Sequence, residues 1–147
     1  PGLSEAKPYK VIFHPLTGLC ILRNSQVEPL RLGPCSNSGG WEYTEQKILS
    51  IKGTYFCLQA EEEGKQAKLG NVCSGPNSRW EMISDSKMHL STQINNASGV
   101  CLDVDTNNII VTNICQCLSQ DNTYDPGSQW FKLVDSTSQP QHYLRIP

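Results

Sequence analysis

Cys101-Leu102-Asp103 opens a pattern that the chain carries three times, with Cys20-Ile21-Leu22 and Cys57-Leu58-Gln59 opening the other copies. Each opening is followed about fifteen residues later by a second cysteine, at Cys35, Cys73 and Cys115, with Cys117 close to the last. Each copy then reaches a tryptophan, at Trp41, Trp80 and Trp130, and these account for every tryptophan in the chain. Self-similarity at roughly forty residues marks one supersecondary unit repeated, because a single copy cannot bury its own apolar face. All three tryptophans are therefore expected at one shared core position.

Working outward, the runs between turns are short and β-like. Tyr9-Lys10-Val11-Ile12-Phe13 leads into the turn His14-Pro15-Leu16-Thr17-Gly18, and Leu19-Cys20-Ile21-Leu22 resumes. Pro29-Leu30-Arg31-Leu32 alternates as a half-buried strand does. The same order recurs from Tyr55 and again from Gly99. No stretch sustains a 3.6-residue apolar period, so almost no helix is expected. Four short strands per copy give about twelve, an all-β fold in which barrel closure would remove exposed edges. The copies span about residues 9–51, 52–92 and 93–134, with residues 1–8 reading as a linker and 135–147 as a polar tail.

Two loops stand out. Glu61-Glu62-Glu63-Gly64-Lys65 reads as a solvated hairpin. The loop from Gln116 to Gln129 is longer than its counterparts and contains Tyr124-Asp125-Pro126-Gly127, and a loop enlarged in one repeat is often functional.

At 147 residues the chain is long enough for a single core. A net charge of −2 and a pI near 5.9 give no basic field, so no nucleic-acid partner is expected. No run approaches the ~18 apolar residues of a membrane-spanning helix, so no membrane partner is expected either. The chain starts at Pro1 and shows no apolar leader, which reads as a processed chain or an excised segment.

The cysteines are too far apart for a metal site. Only Cys115-Gln116-Cys117 is close, and His14, His89 and His142 are scattered, so neither metal nor cofactor is expected. Pairing within copies fits better: Cys20 with Cys35, Cys57 with Cys73, and Cys101 with Cys115 or Cys117. Closing each loop would remove about 3 kcal/mol of unfolded-chain entropy. Three bridges imply an oxidising, secretory compartment. The sequon Asn96-Ala97-Ser98, in a polar turn, points the same way.

Cys-Leu-x-Val near the start of a unit, a paired cysteine and a closing tryptophan motif, three times over, resemble the ricin-B-type lectin or carbohydrate-binding domain. The resemblance covers roughly residues 9–134. It implies a β-trefoil of three pseudo-symmetric repeats, each able to hold a shallow sugar pocket. It also suggests a secreted plant protein in which the domain is appended to a glycoside hydrolase. Such a pocket offers an aromatic ring to the apolar C–H face of a pyranose. A carboxylate and an amide serve its hydroxyl rim. In that family the carboxylate lies two residues after the first cysteine. The aromatic stands shortly before the second, and an Asn-Gln pair precedes the tryptophan motif.

Carried onto this chain, the match is partial. The third unit supplies Asp103 as carboxylate, while Asn113 stands near the expected aromatic. Counting back from Trp130, Gly127 and Ser128 occupy the amide positions and Gln129 is one place out of register. Tyr124 is a candidate substitute ring. The second unit offers Gln59 and Asn77, with Gly70 and Asn71 in the aromatic place. The first has Leu22, Gly33 and Ser38, which leave no sugar site. The expected function is non-catalytic glycan binding that targets a larger secreted enzyme, with the third unit as best site. A degenerate trefoil that serves as a structural or protein-interaction module is the alternative. No histidine pairs with a nucleophile and no carboxylate pair follows a motif, so no enzymatic activity is expected.

Overall fold

The computed structural model describes residues 9–23, 28–38, 40–84, 86–94, 99–118 and 124–136. The linker, residues 137–147 of the tail and the Asn96 sequon lie outside them. Asp135 and Ser136, read from sequence as the start of the tail, instead pair with Lys10 and Tyr9 in a strand. Among the described residues are twelve strands: β1 (Tyr9–His14), β2 (Leu19–Leu22), β3 (Arg31–Gly33), β4 (Trp41–Tyr43), β5 (Leu49–Ile51), β6 (Cys57–Gln59), β7 (Lys68–Gly70), β8 (Glu81–Ile83), β9 (His89–Gln93), β10 (Gly99–Val104), β11 (Ile110–Ile114) and β12 (Lys132–Ser136). Helix among them is confined to single 3-10 turns such as Pro76–Ser78 and Gly127–Gln129. The all-β reading holds.

Every strand pairing is antiparallel. β12, β1, β4 and β5 form one continuous ladder, and β8 pairs with β9. The Trp80 amide donates to the Lys47 carbonyl at 2.8 Å, and the Phe131 amide to the Met88 carbonyl at 2.8 Å. These two bonds stitch the ladders together around the core.

The hairpins β2–β3, β6–β7 and β10–β11 project from this ring. Each is stapled within its own copy, by Cys20–Cys35, Cys57–Cys73 and Cys101–Cys115. The choice left open by Cys115 and Cys117 thus falls to Cys115, and Cys117 is a free, half-buried thiol. The register aligns the copies: Cys20 faces Gly33, Cys57 faces Gly70 and Cys101 faces Asn113. At the hairpin end the copies meet through main chain. Ala67 N donates to the Ile110 carbonyl at 3.0 Å, and Ile110 N to the Leu30 carbonyl at 2.9 Å.

Trp41, Trp80, Ile12, Ile21, Leu49, Leu58, Leu90, Leu102 and Ile110 fill the core. Trp80 satisfies its buried indole by donating from Nε1 to the Leu58 carbonyl at 2.9 Å. The third tryptophan departs from expectation. Phe131 takes the core place and Trp130 is only half-buried. The 3-10 turns set this register. Pro76–Ser78 is followed by Arg79 and then Trp80, whereas Gly127–Gln129 is followed by Trp130 and then Phe131. The second residue after the turn points inward, and in the third copy that residue is phenylalanine.

Candidate functional site

Asp103 lies on β10 two residues beyond the stapled Cys101, on the same face because strand side chains alternate. Its side chain gathers three donors. Oδ1 accepts from the Val104 amide at 2.8 Å. Oδ2 accepts from Asn113 Nδ2 at 3.0 Å and from Gln129 Nε2 at 3.2 Å. The residue is 7% exposed, so the carboxylate is largely buried. An ionised carboxylate has about four acceptor positions. Three are taken, and about one remains for an incoming hydroxyl.

Gln129 is fully engaged. Besides Asp103 it donates from Nε2 to the Ile114 carbonyl at 3.0 Å, and its Oε1 accepts the Gln116 amide at 3.1 Å. Sequence counting from Trp130 put Gln129 out of register. Counting from Phe131 puts it in register, and this is the same one-residue shift seen in the core. The amide immediately before it is lost, because Ser128 stands there.

His14 closes one side of the site. A carbonyl can only accept, so Nε2–H donates to the Ser128 carbonyl at 3.0 Å, leaving Nδ1 to pair with Thr17 Oγ1 at 2.9 Å. Burial holds the His14 pKa below its ordinary value, against the opposing pull of the Ser128 carbonyl and the Asp103 carboxylate. The ring also packs on Phe131, centroid to centroid 4.8 Å.

The acidic loop of the second copy forms another side. It is exposed, as a solvated hairpin should be, with Glu61 paired to Lys68 at 2.6 Å. It is also docked on β11. Gly64 N donates to the Thr112 carbonyl at 2.6 Å, Thr112 N to the Lys65 carbonyl at 3.1 Å, and Thr112 Oγ1 to the Glu62 carbonyl at 3.1 Å. A Cβ placed on Gly64 would lie 4.0 Å from Asn113 Oδ1. Tyr124 opens the last described segment and is 67% exposed. The next residue, Asp125, binds His89 Nε2 at 2.8 Å, and the other ring nitrogen of His89 pairs with Ser84 Oγ at 2.8 Å.

In the second copy the equivalent place is filled from within. Gln59 Nε2 donates to the Val72 carbonyl at 2.6 Å and to Ser78 Oγ at 3.0 Å. Val72 and Ile114 each precede the second cysteine of their copy, so one buried amide is supplied from opposite sides. In the third copy it comes from the 3-10 turn through Gln129. In the second it comes from the strand through Gln59, with small Ser78 making room. Gly70 is needed there as well, since a Cβ would lie 2.2 Å from Gln59 Oε1. Asn77 donates from Nδ2 to the Ala60 carbonyl at 2.8 Å. In the first copy Leu22 occupies the place against Gly33, and Ser38 Oγ donates to the Ile21 carbonyl at 3.3 Å. Of the six residues singled out from sequence, the structure brings Asp103, Asn113 and Gln129 together and sets Gln59 and Asn77 apart in the second copy.

A chain of three stapled hairpins on a strand ring, with a carboxylate–amide cluster beside one staple, has the architecture of a lectin-type trefoil. The profile of the ricin-type β-trefoil lectin domain matches residues 9–135, and the chain belongs to that family of carbohydrate-binding domains. Among its relatives is a glycosyl hydrolase 5 family protein of Chamaecyparis obtusa, 28% identical over 157 residues, which cover 99% of this chain and 28% of the relative. The chain thus spans little more than a quarter of that protein's length. Among solved structures, the GlcNAcα1-4Gal releasing endo-β-galactosidase from Clostridium perfringens shares the fold. Its TM-score is 0.64 at 14% identity, over 88% of this chain and 33% of that one.

Proposed function

We propose that this domain is a non-catalytic glycan-binding module that targets a larger secreted protein, with its working site in the third copy. The observation that carries the reading is the Asp103 cluster. A carboxylate is held rigid by Val104, Asn113 and Gln129, and one acceptor position remains for a sugar hydroxyl. Asp103 is the principal contact. Asn113 can donate or accept beside it, Tyr124 offers a ring from the enlarged loop, and Gln129 positions the carboxylate. Gln59 and Asn77, committed to their own main chain, are weaker candidates. A relative described as a glycosyl hydrolase 5 family protein, several times longer than this chain, supports a catalytic domain as the tethered partner. The three disulfides support secretion.

So few contacts suit a weak site, and a dissociation constant of ~1 mM corresponds to about −4 kcal/mol. Tethering to an enzyme, or several contacts acting together, raises the useful affinity.

A second reading is favoured by one specific observation: three of the four acceptor positions on Asp103 are already used internally, as in a cluster that only holds the fold together. It makes the domain a structural or protein-interaction module. The two readings separate on an array of plant polysaccharides and glycans probed with the oxidised domain and with Asp103→Ala. Binding abolished by the substitution supports the lectin reading. Silence from the folded wild-type domain supports the structural module.

A further inference from the structure

Tyr55 is 90% exposed, more than any other large apolar side chain among the described residues. It lies in the turn between β5 and β6, two residues before Cys57. The matching positions before Cys20 and Cys101 are Gly18 and Gly99, so only the second copy carries a side chain there. The turn is firmly made. Thr54 N and Thr54 Oγ1 both donate to the Ile51 carbonyl, at 3.0 and 2.8 Å, and the Phe56 amide donates to Thr54 Oγ1 at 3.1 Å. Cys73 Sγ, fixed in its disulfide, lies 3.7 Å from the Tyr55 carbonyl oxygen. The residue before Cys73, Val72, is itself 72% exposed. Asn71 and Ser74, on either side of this pair in sequence, are exposed as well.

We infer that Tyr55 and Val72 form a second, external contact for one pyranose ring of a longer glycan, in the copy whose internal pocket Gln59 has closed. The inference rests on the carbohydrate-binding reading and extends it to a surface outside the Asp103 cluster. A ring on a clamped turn loses only two side-chain torsions on binding, so little of the stacking energy is spent on ordering. The apolar C–H face of a pyranose fits the Tyr55 ring, with its hydroxyls turned to Asn71, Ser74 and water. A second contact also answers the weakness of the first, because two modest contacts on one polysaccharide act together.

The test compares wild type, Tyr55→Ala, Tyr55→Trp and Asp103→Ala for retention on whichever soluble polysaccharide the array selects, and for binding of its component monosaccharide. Tyr55→Ala is expected to weaken polysaccharide retention about two- to tenfold and to leave monosaccharide binding unchanged. Tyr55→Trp is expected to retain or strengthen it. If Tyr55→Ala binds like wild type while Asp103→Ala loses binding, the platform is wrong and the third-copy site stands. If Tyr55→Ala weakens retention while Asp103→Ala does not, the platform stands and the third-copy site is wrong. No binding by wild type overturns both. Sedimentation that shows a dimer dissolved by Tyr55→Ala would make this surface a self-interface and overturn the platform alone.

Discussion

Gln129 donates to Asp103 Oδ2 at 3.2 Å and to the Ile114 carbonyl at 3.0 Å, and so ties the third 3-10 turn to both strands of the β10–β11 hairpin. The second copy makes the corresponding tie with Gln59. One structural need, an amide against the carbonyl that precedes the second cysteine, is met in two ways. Only when the 3-10 turn supplies it is the strand position free to carry a carboxylate.

That exchange can be engineered. The double substitution Gln59→Asp with Ser78→Gln should rebuild the Asp103–Gln129 arrangement in the second copy, since Gly70 leaves space beside it. The variant is expected to fold and to gain a second sugar contact, read as an added binding event in calorimetry. Gln59→Asp alone leaves Val72 O and Ser78 Oγ without their donor, and should destabilise by roughly 1–3 kcal/mol in urea unfolding.

Asn113 stands where the resembled pockets carry an aromatic ring, and its Oδ1 lies 4.0 Å from where a Cβ on Gly64 would be. Asn113→Ala removes the donor to Asp103 Oδ2 and should weaken monosaccharide binding about two- to tenfold. Unchanged binding, with the fold intact, would place the sugar elsewhere.

His14 gives the domain a pH-dependent stability. Its folded pKa lies below the ordinary 6.5, so between those two values the unfolded chain binds more protons than the native one. Stability is therefore complete above about pH 6.5 and falls as the pH drops toward the folded value. The urea midpoint should decrease between pH 7 and pH 5, and His14→Gln should flatten that decrease. A slope unchanged in His14→Gln would assign the effect to another group.

Cys117 is half-buried, and burial with the nearby Asp125 carboxylate raises its thiol pKa. Iodoacetamide at neutral pH should label it slowly in the native domain. In denaturant without reductant, rapid labelling should add one equivalent and no more, because the six other cysteines are paired. More than one equivalent would mean that a bridge is open.

The repeat was legible because cysteine spacing is local: each bridge closes within its own copy, so counting residues was enough to pair Cys20 with Cys35 and Cys57 with Cys73. Asp103 was legible for the same reason, as its place is fixed by Cys101. Gln129 was not, because its place depends on which of Trp130 and Phe131 turns inward, and that is set by the 3-10 turn. The alternation through Phe131, Leu133 and their polar neighbours was the available signal. The inward turn of Gln59 was not legible, because it depends on Gly70 and Ser78, remote in sequence. The docking of Gly64 on Thr112 joins two copies, which no reading within a single copy could show.

The most direct test of the account is amide chemical-shift mapping of the oxidised domain during titration with the array's best monosaccharide. The account predicts saturable shifts centred on Val104, Asn113 and Gln129, absent in a folded Asp103→Ala variant. Saturable shifts confined to other parts of the domain, or none at millimolar sugar, would contradict it.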